Sequence, residues 1–249
     1  MTYPRYPRDS QRRRVYLAET PLPGRKLRGL PGCEDFRDLV VGDPWWAERF
    51  PEHTPDLAPM LRPGQGARHA FFRWDTAAPS ITLPRRYRTT SVVLHELTHW
   101  ALHGQSDLPH HGRTFTRVLL DATRHYDGEE AAGELERSFA QHKVHLAHPA
   151  RCGPDGRLRY GWDERIRLSR GRYLSLRYRS DHAPDACVTG RLEGPARRGR
   201  AVRMQPLGAV PEVVLVESVW DVQPTPDPYS DAERAGRLFL LEDDFRGAD

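Results

Sequence analysis

The sequence predicts an α+β chain. A helical N-terminal domain with a small sheet is expected over residues 1–149, a small basic, β-rich, barrel-like domain over 150–222, and an acidic, proline-containing tail over 223–249. Three observations predict this. Before Pro149, apolar residues recur at helical spacing, most clearly Phe115, Val118, Leu119, Ala122 and Tyr126. After Pro149, short alternating runs separated by turn residues take over. Within the first of these regions lies one stretch with chemistry in it, Val92-Val93-Leu94-His95-Glu96-Leu97-Thr98-His99-Trp100.

In chain order, residues 1–8 read as a loose arm, and Asp9 or Ser10 can cap a first helix running to about Glu19. Pro21, Pro23 and Gly24 end it. A second helical stretch spans Cys33 to Phe50 with a break at Gly42-Asp43-Pro44, and Trp45-Trp46 just after the break are expected core anchors. Residues 51–68 are rich in Pro and Gly and read as a loop. His69–Trp74 and Ser80–Pro84 read as strands, and Pro84 confines the second to a sheet edge or a strand end. An edge strand just before the His-bearing helix could accept an extended peptide beside it. The apolar face of that helix is Val92, Val93, Leu97, Trp100 and Ala101, with Thr89, Thr90 and Ser91 as candidate N-caps and Gly104 as a C-cap. A helix opens near His111, and another spans roughly Glu129–His142 with Leu135 and Phe139 inward. Arg151–Gly156 is a turn-rich joint. Arg165–Leu168, Tyr173–Tyr178, Ala186–Arg191, Ala201–Met204 and Val213–Trp220 are strand-like, and Pro224, Pro226 and Pro228 lead into the acidic tail.

Composition bounds the class of protein. Mean hydropathy of −0.72 and 38% hydrophobic residues describe a polar chain with no apolar run near the roughly 18 residues of a membrane span. The N-terminus lacks the apolar stretch of a signal peptide, so a cytoplasmic location is expected. Cys33, Cys152 and Cys187 form no C-x-x-C pair, which argues against a zinc ribbon or disulfide framework and for buried free thiols. Residues 151–204 hold 14 Arg against 6 acids, whereas 205–249 hold 3 Arg against 10. The basic segment could meet nucleic acid. That signal is weakened because Lys26 and Lys143 are the only lysines, a bias typical of a GC-rich genome.

The His-Glu-x-x-His stretch carries the functional expectation. Composition alone gives roughly 0.03 chance matches in a chain of this length. His95 and His99, four apart on a helix, stack on one face and can share one tetrahedral zinc. Glu96 sits off the metal, within reach of a proton on activated water. Three protein ligands with one open position define a catalytic zinc, and the best third ligand is His111 in His111-Gly112-Arg113-Thr114-Phe115. His103 shares the His99 face but lies about 12 Å of helix rise from His95. His110 competes with His111, but Gly112 favours His111 because glycine lets the backbone come close. Arg113, His125 and Tyr126 are candidates for stabilising an oxyanion.

Four stretches within residues 9–146 carry a resemblance to SprT/Spartan-like zincin peptidases, most of all to short actinobacterial metallohydrolases of that type. They are Arg8-Asp9-Ser10-Gln11 leading to Val15-Tyr16-Leu17-Ala18-Glu19, Pro44-Trp45-Trp46 leading to Phe50-Pro51, Ile81-x-Leu83-Pro84 leading to the His95 helix, and His111-Gly112-x-x-Phe115. The resemblance implies a zincin-like domain, a Zn2+ cofactor held by His95, His99 and His111, Glu96 as catalytic base, and a protein or peptide substrate. It does not extend past about residue 150. Two rivals make different demands. An ImmA/IrrE-like regulatory peptidase would take its third ligand from Glu129 or Glu130. A non-catalytic DNA-associated protein would bind through residues 150–220.

Overall fold

The computed structural model describes residues 7–225 except positions 23, 67, 75–77, 197–199 and 207–208; the acidic tail from 226 onward lies outside the described residues. Within it the chain forms two compact units, the first ending at Glu164 and the second beginning at Arg165.

The first unit is assembled around α4 (Thr90–Ala101). Val93, Leu94, Leu97, Trp100 and Ala101 are at most 1% exposed, and Thr90, Thr98, His95 and Glu96 are buried with them. A helix buried on nearly all sides must be enclosed by other elements. It packs on α2 (Gly29–Gly42), α5 (Arg113–Tyr126) and a strand of the small sheet. Thr89 occupies the N-cap position without a side-chain capping bond. Thr90 instead accepts from the Arg25 amide and donates to Asp127, tying the helix start to two distant loops. Trp46, on the short α3 (Pro44–Arg49), is fully buried and stacks on Trp100 with ring centroids 5.9 Å apart. Its neighbour Trp45 is only half-buried, held between Arg49 and His125. Asp43 sets the break before α3 by accepting from the Trp45 amide, with Pro44 at the first helical position. α1 (Arg12–Glu19) lies on α6 (Gly128–Gln141), where Ser138 donates to the Ala18 carbonyl.

The sheet of this unit has the order β1-β3-β2, from β1 (Met60–Pro63), β2 (Phe71–Arg73) and β3 (Ser80–Leu83). Of the two placements that Pro84 allows, a sheet edge or a strand end, the structure takes the second, and β3 is central: it pairs in parallel with β1 and antiparallel with β2. Pro84 falls just past the end of β3, where its missing N–H costs no ladder bond. The edge strand beside α4 is therefore β2. β1 lies in the stretch read as loop. A short hairpin, β4 (Arg151–Cys152) with β5 (Leu158–Arg159), leads into α7 (Trp162–Leu168). Arg165–Leu168, expected as a strand, is the last turn of that helix; four residues of alternation are too few to separate a strand from one helical turn.

The second unit corrects the expectation of a barrel. Its strands β6 (Tyr173–Tyr178), β7 (Ala186–Ala196), β8 (Ala201–Pro206), β9 (Glu212–Leu215) and β10 (Val219–Pro224) form one antiparallel sheet in the order β10-β6-β7-β8-β9. The run Val213–Trp220, expected as one strand, breaks at the 3-10 turn Val216–Ser218. That turn carries the chain from one edge of the sheet to the other. Among the described residues no ladder joins β9 to β10, so the sheet stays open. Alternation in β7 is strict, with Val188 and Leu192 inward and Cys187, Thr189 and Arg191 outward. Only Cys33 of the three cysteines is buried; Cys152 and Cys187 are exposed, contrary to expectation. Among the described residues no helix is long and apolar enough to cross a membrane.

Candidate metal centre

α4 brings His95 and His99 one above the other, with their Nε2 atoms 3.2 Å apart. His111 arrives from the loop before α5. The three imidazoles offer ligand atoms that all lie within 4.8 Å of one another, so the cluster could coordinate a metal ion. His95 and His111 are buried and His99 is half-buried.

Hydrogen bonds on the outer side fix the rings. Glu19 accepts from His95 Nδ1 at 2.8 Å, and Asp9 accepts from His111 Nδ1 at 2.8 Å. A carboxylate only accepts, so Nδ1 of each ring carries a proton, which leaves Nε2 as the metal-facing nitrogen when the ring is neutral. Such outward carboxylates orient metal-binding histidines and make them more basic. His111 Nε2 is buried and has no hydrogen-bond partner among the described residues. A buried nitrogen left in this way is costly unless something accepts its lone pair. Tetrahedral coordination with bonds of about 2.0–2.1 Å places nitrogens about 3.4 Å apart, close to the His95–His99 spacing. The donor set fits a divalent metal that favours imidazole.

Phe115, one turn into α5 and fully buried, floors the cluster with its ring centroid 4.5–4.9 Å from all three imidazoles. Tyr16 covers another side, stacked on His95 at 5.6 Å and tilted on His111 at 5.1 Å. The position of His111 depends on a residue far along the chain. The Glu164 carboxylate, 1% exposed, accepts from the amides of Arg113 and Thr114 at 3.0 and 2.7 Å and from the Thr114 hydroxyl at 2.8 Å. It therefore satisfies free N–H groups at the start of α5, where a negative charge also complements the helix dipole. Gly112 has an ordinary φ of −69°, so its backbone conformation does not call for glycine. Space does: a Cβ there would lie 2.8 and 2.9 Å from the two Glu164 oxygens.

Electrostatics in the cluster follow from burial and these partners. Burial pulls the His95 pKa down, but the Glu19 charge and hydrogen bond outweigh it and leave the pKa raised to about 8. Burial lowers His111, against the opposing bond to Asp9, and drives His99 well below the usual histidine range, helped by the neighbouring imidazoles. Glu96 is raised to about 7, first by burial, with His95 opposing, Glu19 adding and a backbone hydrogen bond from Phe72 of β2 opposing. Burial likewise raises Tyr16.

Glu96 and His99 open onto a cavity of about 300 Å³, walled by Arg12, Tyr16, Phe71, Phe72, His103 and His110 among others. The structure thus brings His95, Glu96, His99 and His111 together. His103 stays outside the cluster, its ring 4.0 Å from that of Trp74, and His110 lines the cavity. None of the suggested oxyanion donors, Arg113, His125 and Tyr126, is among the described residues that line this cavity; His125 pairs with Asp43, and the Tyr126 hydroxyl donates to the Val40 carbonyl. Glu129 is engaged by Arg124 on the surface, and neither it nor Glu130 joins the cluster. Sequence reasoning missed Asp9, Arg12, Tyr16, Glu19 and Glu164. Positions 9, 12, 16 and 19 follow the 3-4-3 spacing of a single helix face, a signal present in the sequence. No protein-family model, curated protein or solved structure matches the chain.

Proposed function

We propose that the protein is a zinc-dependent metallohydrolase, a peptidase of the SprT/Spartan zincin type, with His95, His99 and His111 holding the metal and Glu96 as general base. The observation that carries this reading is the convergence of three imidazole nitrogens, two of whose residues, His99 and His111, line one cavity with the buried Glu96. When bound, zinc supplies Lewis acidity, polarising a substrate carbonyl and bringing the pKa of water at its open position toward about 7. Glu96 takes a proton from the attacking water and returns it to the leaving amine nitrogen. Glu19 and Asp9 hold the ligand rings in the tautomer that points Nε2 inward. β2 offers a strand edge beside Glu96, along which an extended peptide can lie.

The test is metal removal. The purified full chain should hydrolyse an unstructured protein such as casein, lose the activity on treatment with a chelator, and regain it with one equivalent of zinc. Zinc-loaded protein that leaves casein and a mixed peptide library intact would count against peptidase activity.

A further inference from the structure

α1 and the residues just before it face the His cluster with more than the carboxylates of Asp9 and Glu19. Between those two in sequence, on α1, stand Arg12 and Tyr16, and both line the cavity shared by Glu96 and His99. Tyr16 is held over the ligand rings by its contacts with His95 and His111. The Arg12 guanidinium lies 5.7 Å from the Tyr16 ring centroid. Arg12 is exposed to the cavity, and among the described residues no carboxylate forms an ion pair with it. A guanidinium and a phenol hydroxyl beside a cluster of imidazoles are therefore free to donate to a negatively charged oxygen.

We propose that Arg12 and Tyr16 form an anion subsite that receives the oxygen of the scissile carbonyl as it becomes an oxyanion. The proposal rests on the metallohydrolase reading. In the step, the water oxygen bonds to the acyl carbon while one water proton passes to Glu96. The carbonyl π pair moves onto its oxygen, and that oxygen accepts from the Tyr16 O–H and an Arg12 N–H without taking a proton. On collapse the pair returns to re-form the carbonyl, the C–N bond breaks, and the amine nitrogen takes the proton from Glu96. Donors aimed at an oxygen that gains charge act on the barrier more than on substrate binding. This assigns the oxyanion role to α1, in place of Arg113, His125 and Tyr126.

Methylphosphonate, a small tetrahedral oxyanion, and acetate, a planar carboxylate, are the probes, titrated into the zinc-loaded full chain by calorimetry. The wild type should bind methylphosphonate. Tyr16→Phe, which keeps the stacking ring, and Arg12→Met should each weaken that binding about 10- to 100-fold. Zinc content should be unchanged, and acetate affinity should move less than about threefold by comparison with such charge-assisted bonds. In a hydrolysis assay the same variants should lose kcat by about 100-fold with KM nearly constant. Zinc-loaded wild type that binds no methylphosphonate, or variants that bind it as well as wild type, would overturn the subsite alone. Equal losses for acetate and methylphosphonate would assign the pair to a substrate carboxylate and overturn the oxyanion role. Wild type that takes up no zinc would bring down the metallohydrolase reading and the subsite with it.

Discussion

Glu96→Gln is expected to keep its metal and lose hydrolytic activity by about 10²- to 10⁴-fold, the range contributed by a positioned general base. Glutamine has the shape of glutamate, and Glu96 is not one of the three clustered ligands, so the zinc content should match that of wild type. Stability should not suffer either. Glu96 is 4% exposed, and burial raises its pKa to about 7, which marks an environment unfavourable to its charge. A neutral side chain that can still accept from the Phe72 amide relieves that cost, so Tm should equal or exceed the wild-type value. Thermal melts and metal analysis accompany the assay. Undiminished activity in the variant would remove Glu96 from the mechanism.

Glu164→Ala is expected to destabilise the first unit by about 3 kcal/mol or more, because it strands two buried amides and a hydroxyl at the start of α5. At this chain size that corresponds to a fall in Tm of roughly 6–12 °C. The same loss loosens the turn that carries His111, so zinc affinity should fall as well, although Glu164 is not one of the three clustered residues. Glu164→Gln keeps one acceptor oxygen and should lie between the two. A Tm within about 1 °C of wild type for Glu164→Ala would mean that other groups satisfy the α5 start.

How far the sequence exposes this site depends on distance along the chain. His95, Glu96 and His99 sit on one helix, and His111 follows within the next turn-rich loop, so local spacing brings them into view. Glu19 and Asp9 reach the same cluster across 76 and 102 residues. Glu164 reaches Thr114 across 50 residues from a helix with no motif of its own. Packing of α1 and α7 creates those contacts; the 3-4-3 spacing of positions 9, 12, 16 and 19 marks a shared face but not what that face meets. The elements follow a similar rule. Helices with long apolar stripes, such as α5, are legible, as is β6, whose bounds match the alternating run Tyr173–Tyr178. β1 is hidden because its four residues lie among prolines and glycines and are specified by pairing with β3. Strand spacing in the second unit marks β6, β7 and β8, but misses that Arg165–Leu168 is helical and that Val213–Trp220 holds parts of both β9 and β10. It carries no information on whether β9 meets β10, which is why an open sheet was mistaken for a barrel.

The most direct measurement of the central claim is the metal content of the purified full chain by mass spectrometry, beside His111→Ala prepared at the same concentration. The account predicts close to one zinc per wild-type chain and a content well below one in the variant, with both proteins folded. A folded wild type that carries no zinc and takes up none on titration, or a His111→Ala variant that holds it as tightly as wild type, would contradict it.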